Sequence, residues 1–299
     1  MICAIHQPQF MPWLGYLHKI YRADKFIFLD DVQFKKNEFQ NRNRVLIAGE
    51  PRWLTVPVSF HFGDTLRETM IANNIPWRKK MMHAVELNYA AAPFFNTYRE
   101  GFAEVIGREW ENLAELNAAS ARWLMECFGI RTETFISSQL PLTSTTKATT
   151  KNHWIPDQVG NDILSPHSVI PVTRLRRSAS PRRETGIQNM RDFEITRNDP
   201  RADSSGAVTG HTPTQRLIDI CRLVGADTYL SGAGGHKYLE QAEFEKAGIR
   251  LMFQDFRHPV YPQHSIGTGA AFTSNLSALD GLFNCGGGEA GRKTLNIER

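Results

Sequence analysis

The chain has 299 residues, a formal net charge of +4, and 41% hydrophobic and 22% charged residues, which is typical of a soluble globular protein with one large or two small domains. No apolar run approaches the roughly 20 residues that span a bilayer, and Asp, Lys and Pro interrupt the amino terminus too early for a signal peptide. These features argue against membrane insertion, and we expect a cytoplasmic protein. The four cysteines are far apart and form no CxxC pair, which argues against disulfides and cysteine-held metals.

The first predicted elements are a strand, a loop, a helix and a second strand. The apolar run at 2–5 leads into His6 and Gln7, and the second apolar run, at 26–29, leads into Asp30 and Asp31. In open α/β sheets, ligands bind at the loops that leave the carboxyl ends of the strands. We therefore expect one edge of a sheet to gather the polar residues His6, Gln7, Asp30, Asp31 and Gln33.

Three of these residues could carry out catalysis. His6 could act as a general acid or base, because the ordinary pKa of imidazole, near 6.5, suits proton transfer. Asp30 or Asp31 could orient His6 or bind a hydrated Mg²⁺. Neighbouring side chains in extended backbone point to opposite faces, so we expect at most one of the two aspartates to face the cleft. The alternative is that all three are structural.

A polar stretch, NEFQNRNR at 37–44, follows the second strand. Its two guanidinium groups, on Arg42 and Arg44, could hold a phosphate or carboxylate in a bidentate manner, with Asn41 beside them. A solvated run of charges is the alternative. Trp13 and Tyr16, after the first strand, are also predicted to bind ligand, although aromatic residues serve as core equally well.

Strands and helices follow up to residue 136. Strands are predicted at 51–58, 67–72 and 132–136, and helices at 77–89, 93–107 and 109–128. Gly129 has the place of the glycine that commonly follows the last residue of a helix.

The segment 147–212 interrupts this pattern. It has no sustained apolar period, and it contains ten Lys and Arg residues against seven Asp and Glu residues. The string RLRRSASPRR could bind nucleic acid, but no aromatic residues are interleaved with its arginines. The longer string HSVIPVTRLRRSASPRRETGIQ resembles a translated bacterial palindromic intergenic repeat. We therefore predict a disordered in-frame insertion without function, and no nucleic-acid partner.

A crossover unit of a parallel sheet is predicted after the interruption. It consists of a helix at 213–224, a strand at 227–230, the turn SGAGGHKY, a helix up to 247 and a strand at 250–254. Backbone N–H groups of this turn could hold an anion, although its spacing matches neither a Walker A motif nor GxGxxG, and a simple tight turn is the alternative. The predicted ligand-binding residues in this part of the chain are Ser231, Gly232, Gly234, Gly235, Tyr238, His258 and Tyr261. Residues 286–299 are predicted to be a flexible tail.

Several strings of the chain resemble the WbqC-like protein family, a bacterial group often found in gene clusters for O-antigen and other surface polysaccharides. The matching strings are IHQPQFMPWLGYLHKI, FIFLDDVQF, NRNR, WLTVPV, REWENLAELN, RLIDICRLVGADTYLSGAGGHKYLE, FQDFRHPVYPQ and LDGLFNCG. The resemblance implies a role in surface-polysaccharide assembly and does not by itself assign a reaction. The layout is also loosely similar to nucleotidyltransferase-type α/β folds, but WLGY at 13–16 lacks both histidines of their HxGH motif, so that chemistry does not carry over.

The sequence thus predicts an α/β fold: a single domain with a mostly parallel sheet flanked by helices, formed by residues 1–146 and 213–285. The leading functional hypothesis is acyl or aminoacyl transfer to or from a small-molecule substrate, a sugar nucleotide, with Mg²⁺ and a nucleotide as candidate cofactors. A non-catalytic ligand-binding or scaffold protein of the same pathway is the second hypothesis. Nucleic-acid binding through the arginines at 174–183 is the third.

Overall fold

The computed structural model describes residues 1–142, 212–264 and 271–298, which belong to one compact unit. The predicted insertion at 147–212 lies outside the described residues except for Thr212. The arginines at 174–183 lie outside them as well. Within the described part of the chain, no helix is both long enough and apolar enough to cross a membrane.

The predicted α/β class is confirmed by a five-stranded, wholly parallel sheet with the strand order β7-β2-β1-β8-β9. In chain order the strands are β1 (Ile2–His6), β2 (Lys25–Phe28), β3 (Arg42–Ile47), β4 (Glu50–Thr55), β5 (Val58–Ser59), β6 (Met70–Ile71), β7 (Glu133–Ile136), β8 (Thr228–Ser231) and β9 (Arg250–Phe253). The central strand β1 is buried along Cys3, Ala4 and Ile5, as expected of a continuous apolar run with both faces covered.

Helices flank this sheet. They are α1 (Leu14–Arg22), α2 (Trp77–Tyr89), α3 (Phe95–Gly107), α4 (Leu113–Cys127), α5 (Pro213–Leu223), α6 (Gln241–Lys246), α7 (Ala278–Cys285) and α8 (Gly288–Thr294). Local sequence explains two of the helix starts. The Asn112 side chain accepts hydrogen bonds from the first N–H groups of α4, and Thr212 caps α5 with Pro213 at its first position.

The strand order reverses at the middle of the sheet. From β1 the chain adds β2 and β7 on one side, and it then adds β8 and β9 on the other side. In open α/β sheets the crevice at such a reversal, outside the carboxyl ends of the strands, is where ligands bind. We therefore expect a binding site at the carboxyl ends of β1 and β8 and of their neighbours.

Four local predictions need correction. The predicted strand at 51–58 is divided between β4 and β5, and the one at 67–72 is a 3₁₀ turn (Leu66–Glu68) followed by the short β6. The glycine-rich turn leads into a 3₁₀ turn, Ala233–Lys237, rather than directly into an α-helix. The NRNR string is not a loop but begins β3, which pairs antiparallel with β4. Ala48 and Gly49, both with positive φ, make the tight hairpin turn that fixes this pairing.

The carboxyl-terminal segment, for which we predicted a flexible tail, contains α8, and Leu295 and Ile297 beyond it are fully buried. The glycines of this segment allow close packing. The Gly287 N–H donates a hydrogen bond to the Tyr98 hydroxyl at 2.8 Å. A Cβ at Gly287 would lie only 2.1 Å from the Cys127 carbonyl oxygen.

Replacing Gly287 by Ala should therefore lower the free energy of unfolding by about 1–3 kcal/mol, the usual cost of overpacking. Urea denaturation followed by circular dichroism would measure this loss. Gly107→Ala is the matched control, because a Cβ there has no heavy atom within 4 Å. Equal stabilities of the two variants would show that the tail is not packed as described.

Candidate functional site

The carboxyl edge of the sheet brings together polar residues from neighbouring strands. His6 ends β1, Asp30 and Asp31 follow β2, Ser137 and Ser138 follow β7, and Ser231 ends β8. These strands are hydrogen-bonded neighbours, with His6 opposite Phe28 in the β1–β2 register. The predicted gathering of His6, Gln7 and the two aspartates at one sheet edge is thus what the topology produces.

The acid–serine cluster, defined as Asp30, Asp31, Ser137, Ser138 and Arg216, is the most densely bonded part of this edge. Asp30 Oδ1 accepts hydrogen bonds from Ser137 Oγ at 2.9 Å and from the Ser138 N–H at 3.0 Å. Asp30 Oδ2 accepts a hydrogen bond from Ser138 Oγ at 2.6 Å. Ser137 Oγ also lies 2.6 Å from Asp31 Oδ1. The two strands β2 and β7 are therefore joined at their ends through carboxylates.

The prediction that Asp30 and Asp31 point to opposite faces is wrong. Both carboxylates contact the same atom, Ser137 Oγ. The physical reason is that β2 ends at Phe28, so Asp30 and Asp31 lie in a bend rather than in extended backbone, where side chains alternate.

Arg216, on the first turns of α5, completes the cluster and was not identified from the sequence. Its side chain is only 2% exposed, and one terminal nitrogen, Nη2, lies 2.5 Å from Asp31 Oδ1. The Arg216 Nε is buried without a hydrogen-bond partner among the described residues. A buried, charged pair costs desolvation energy and is therefore uncommon unless it serves a structural or functional purpose.

His6 is buried and uncharged. Its side chain is 5% exposed, its Nδ1 lies 2.9 Å from the Gln7 carbonyl oxygen, and its ring is 4.8 Å from that of Tyr16. Burial, aided by the positive charge of Lys19, lowers the pKa of His6 to about 3. The imidazole is thus neutral at physiological pH when no ligand is bound, and the role of His6 as a general acid or base stays a prediction. Negative charge brought by a ligand would raise this pKa and favour protonation.

Gln7 and Tyr16 hold the loop after β1 in place. The Tyr16 hydroxyl donates to the Gln7 carbonyl oxygen at 3.1 Å, and Gln40 Nε2 donates to Gln7 Oε1 at 2.5 Å. The buried amides of Gln9 and Asn117, in contrast, are not fully hydrogen-bonded. Both amide atoms of Gln9 and the Oδ1 atom of Asn117 have no hydrogen-bond partner among the described residues.

Arg42 and Arg44 lie on β3 and do not join the acid–serine cluster. Both guanidinium groups flank the Trp53 ring, at 4.1 and 5.6 Å from its centroid. Arg42 also donates to the Asn37 carbonyl oxygen, and Arg44 donates to the Asn275 carbonyl oxygen. In the described part of the chain, no hydrogen bond or ion pair connects either arginine to Asp31. Asn41 and Gln33 are likewise engaged locally: Asn41 Nδ2 donates to the Val56 carbonyl oxygen, and Gln33 forms an isolated β-bridge with Thr65.

The glycine-rich turn places Ser231 at the carboxyl end of β8 beside Gly232, Gly234 and Gly235. Ser231 Oγ donates to the Gly232 carbonyl oxygen, and the Gly235 N–H donates to the same oxygen at 3.0 Å. A Cβ at Gly235 would lie 2.1 Å from Ser231 Oγ, so glycine allows this close return of the chain. The Gly235 N–H is used within the turn and is not available to an anion. Tyr238, which ends the turn, packs half-buried against the core.

Trp13, His258 and Tyr261 belong to an aromatic group beyond β9. Trp13 and His258 both contact the Phe256 ring, and His258 stacks on Tyr261. Burial lowers the pKa of His258.

A buried carboxylate, Asp280 on α7, anchors Tyr261 and was also not identified from the sequence. Its Oδ1 accepts hydrogen bonds from the Tyr261 hydroxyl and Gln263 Nε2, both at 2.9 Å, and its Oδ2 accepts one from the Tyr89 hydroxyl at 2.7 Å. Burial raises the pKa of Asp280 and that of Tyr261. With three donors satisfied inside the core, this network holds α7 against α2 and the loop around Tyr261.

The described residues contain no group of three or more His, Cys, Asp or Glu side chains that could hold a metal ion. Both oxygens of Asp30 accept hydrogen bonds, and Asp31 Oδ1 is paired with Arg216. Asp31 Oδ2 has no hydrogen-bond partner in the described ranges. Mg²⁺ often binds through one or two carboxylates plus substrate phosphates. Magnesium at Asp30 or Asp31 therefore stays a prediction.

Comparisons with known proteins agree with the resemblance drawn from the motifs. The chain is 26% identical over 287 residues to the uncharacterised protein Rv1507c of Mycobacterium tuberculosis. The alignment covers 95% of this chain and 93% of the relative. No solved structure matches the chain significantly. The profile of the WbqC-like protein family matches residues 7–167 and 189–291 and leaves out 168–188, which contains RLRRSASPRR. Since the match spans most of the sequence, the chain belongs to the WbqC-like protein family.

Proposed function

We propose that this protein binds a nucleotide-activated sugar at the carboxyl edge of its sheet and transfers an acyl or aminoacyl group to or from it in surface-polysaccharide assembly. The observation that carries the proposal is the acid–serine cluster, whose buried charges are fixed at the carboxyl ends of β2 and β7. Strand β2 is the neighbour of β1, which borders the strand reversal. Preorganised polar groups at this edge are the usual basis of ligand binding in such sheets.

The geometry supports a role for each of these groups in the proposed reaction. A diphosphate bound near the ends of β1 and β8 would add negative charge beside His6 and Lys19. That charge would raise the pKa of His6 and allow its imidazole to take a proton from the attacking hydroxyl or amine. The N–H groups of Gly232 and Gly234 are the candidate phosphate donors, and Asp31 Oδ2 is the candidate ligand of a Mg²⁺ that accompanies the diphosphate.

The low pKa of His6 favours a second candidate function. With an uncharged imidazole and with both oxygens of Asp30 saturated, the same edge could bind a ligand without transforming it. In this case the protein is a ligand-binding or scaffold protein of the same pathway.

Thermal melting of the full chain with UDP-, GDP- and dTDP-sugars, ATP and CoA thioesters, each with and without Mg²⁺, tests the proposal. A ligand that binds the native state must raise the melting temperature by mass action. We expect at least one sugar nucleotide to do so and Gly232→Val to abolish the shift. If no nucleotide changes the melting temperature of a cooperatively unfolding protein, the sugar-nucleotide proposal is wrong.

Turnover separates the two candidate functions. With the binding partner identified, His6→Asn should lower kcat/KM by about 10²–10⁴-fold if His6 carries the proton, the usual contribution of a positioned acid or base. His83→Asn, a change on α2 far along the chain from the edge, is the control. Saturable binding without any product, in both the wild type and the variant, would support the non-catalytic function.

A further inference from the structure

A groove of about 770 Å³ lies between α3 and α4 and reaches the acid–serine cluster. Its walls include Glu104 of α3 and Trp123 of α4, and Asp30 and Ser138 line it at the carboxyl ends of β2 and β7. This volume is within the range of about 300–1,000 Å³ that is common for small-molecule sites. The groove is therefore large enough for a second substrate next to the cluster.

The charges of the lining are mixed. Four carboxylates and three guanidinium groups face the groove: Asp30, Glu104, Glu115, Glu126, Arg67, Arg108 and Arg122. This near balance does not favour a polyanion such as a nucleotide diphosphate. It suits a ligand whose groups both donate and accept hydrogen bonds, because a hydroxyl group can donate to a carboxylate and accept from a guanidinium group.

The carboxylates of the two helices are available to a ligand. Within the described residues, the side chains of Glu104, Glu115 and Glu126 form no hydrogen bond or ion pair. Arg122 is engaged only in part, since its Nε donates to Thr134 Oγ1 at 3.1 Å. A ligand would thus find donors and acceptors that are not already committed to the fold.

The apolar part of the lining combines two indole rings with aliphatic side chains such as Val105 and Ile136. Trp123 is half-buried, and Gly101 of α3 lets its ring lie close, because a Cβ there would be 2.5 Å from Trp123 Nε1. The Arg108 guanidinium lies over the Trp110 ring, 4.4 Å from its centroid. Sugar rings present a face of C–H groups that packs on aromatic rings, with hydroxyl groups around the rim. The half-buried Trp123 ring, bordered by charged hydrogen-bonding groups, matches that combination. The Trp110 ring is buried and already faces the Arg108 guanidinium.

We infer that this groove binds a neutral saccharide, with a sugar ring against Trp123 and its hydroxyl groups paired with the carboxylates and guanidinium groups of the lining. The identification of this saccharide as the acceptor of the transferred group rests on the proposed function. The binding itself does not.

Isothermal titration calorimetry of the full chain with maltotriose, mannotriose and N,N′,N″-triacetylchitotriose tests the inference. We expect at least one trisaccharide to bind, and Trp123→Leu to weaken that binding at least tenfold. Glu104→Gln, an exposed change that does not disturb the core, should weaken it several-fold. The matched controls, Trp53→Leu and Glu100→Gln, lie outside the groove lining and should leave the affinity within twofold of the wild type.

The inference is overturned if none of the three trisaccharides binds, or if Trp123→Leu and Glu104→Gln bind them as the wild type does. It is also overturned if Trp123→Leu abolishes a thermal shift by a sugar nucleotide, because the groove would then hold the nucleotide. Trisaccharide binding that depends on Trp123, without any change of melting temperature on adding a nucleotide, would support saccharide binding in the groove and refute the proposed transfer function.

Discussion

Replacing Arg216 by Met should lower the free energy of unfolding by about 3–5 kcal/mol, the usual loss when one partner of a buried ion pair is removed. Methionine keeps most of the side-chain volume, so the loss reports charge rather than a cavity. The wild-type guanidinium lies 2.5 Å from Asp31 Oδ1, and both side chains are less than 10% exposed. Without it, the Asp31 carboxylate would remain buried with only the Ser137 hydroxyl within hydrogen-bond distance, and it shares the one proton of that hydroxyl with Asp30.

Two further variants test the cause of this loss. Adding Asp31→Asn to Arg216→Met removes the uncompensated charge, so the double variant should recover part of the lost stability. Arg222→Met is the matched control on the same helix, because Arg222 is exposed and should change stability by no more than about 0.5 kcal/mol. Urea unfolding followed by tryptophan fluorescence measures all of them. If Arg216→Met is no less stable than Arg222→Met, the ion pair is not a buried structural element.

The same ion pair shows where prediction from the sequence ends. The placement of His6, Asp30 and Asp31 could be predicted, because apolar runs that end in polar residues indicate parallel strands whose carboxyl ends meet. The partner of Asp31 could not. Arg216 is 185 residues away along the chain, and on α5 it adjoins the apolar stripe of Leu217 and Ile218 without any motif. Only the tertiary arrangement pairs them.

Arg42 and Arg44 illustrate a different failure. A run of polar residues with two arginines resembles an anion-binding loop, yet these residues begin a β-strand whose turn is fixed by two residues with positive φ, Ala48 and Gly49. The alternation along the strand then brings both guanidinium groups to the face that carries Trp53. Composition alone does not distinguish a ligand-binding arginine from one that packs on a neighbouring ring.

Acid should destabilise the protein through His6. In the unfolded chain the imidazole of His6 binds a proton below pH about 6.5, whereas in the folded protein its pKa is about 3. Between these values the unfolded state holds a proton that the native state lacks. Stability therefore falls as the pH falls through this window, by about 1.4 kcal/mol per pH unit for this one group. Below pH about 3 the contribution levels off, because both states are then protonated.

Comparing the slope of unfolding free energy against pH between the wild type and His6→Asn isolates this contribution, since the acidic residues common to both proteins cancel. We expect the slope between pH 6 and pH 4.5 to be smaller in the variant. His61→Asn, which removes a histidine whose side chain is 95% exposed, controls for the loss of an imidazole as such. If His6→Asn folds poorly, His18→Gln provides a second test, because burial lowers the pKa of His18 to about 4. Equal slopes in the wild type and both buried-histidine variants would mean that these imidazoles bind protons in the native state, and the picture of a neutral His6 at the sheet edge would be wrong.

If His6 is neutral, its burial explains both the loss of stability in acid and the condition for catalysis. The burial that keeps a proton off His6 in the free protein is what a bound anion would have to offset.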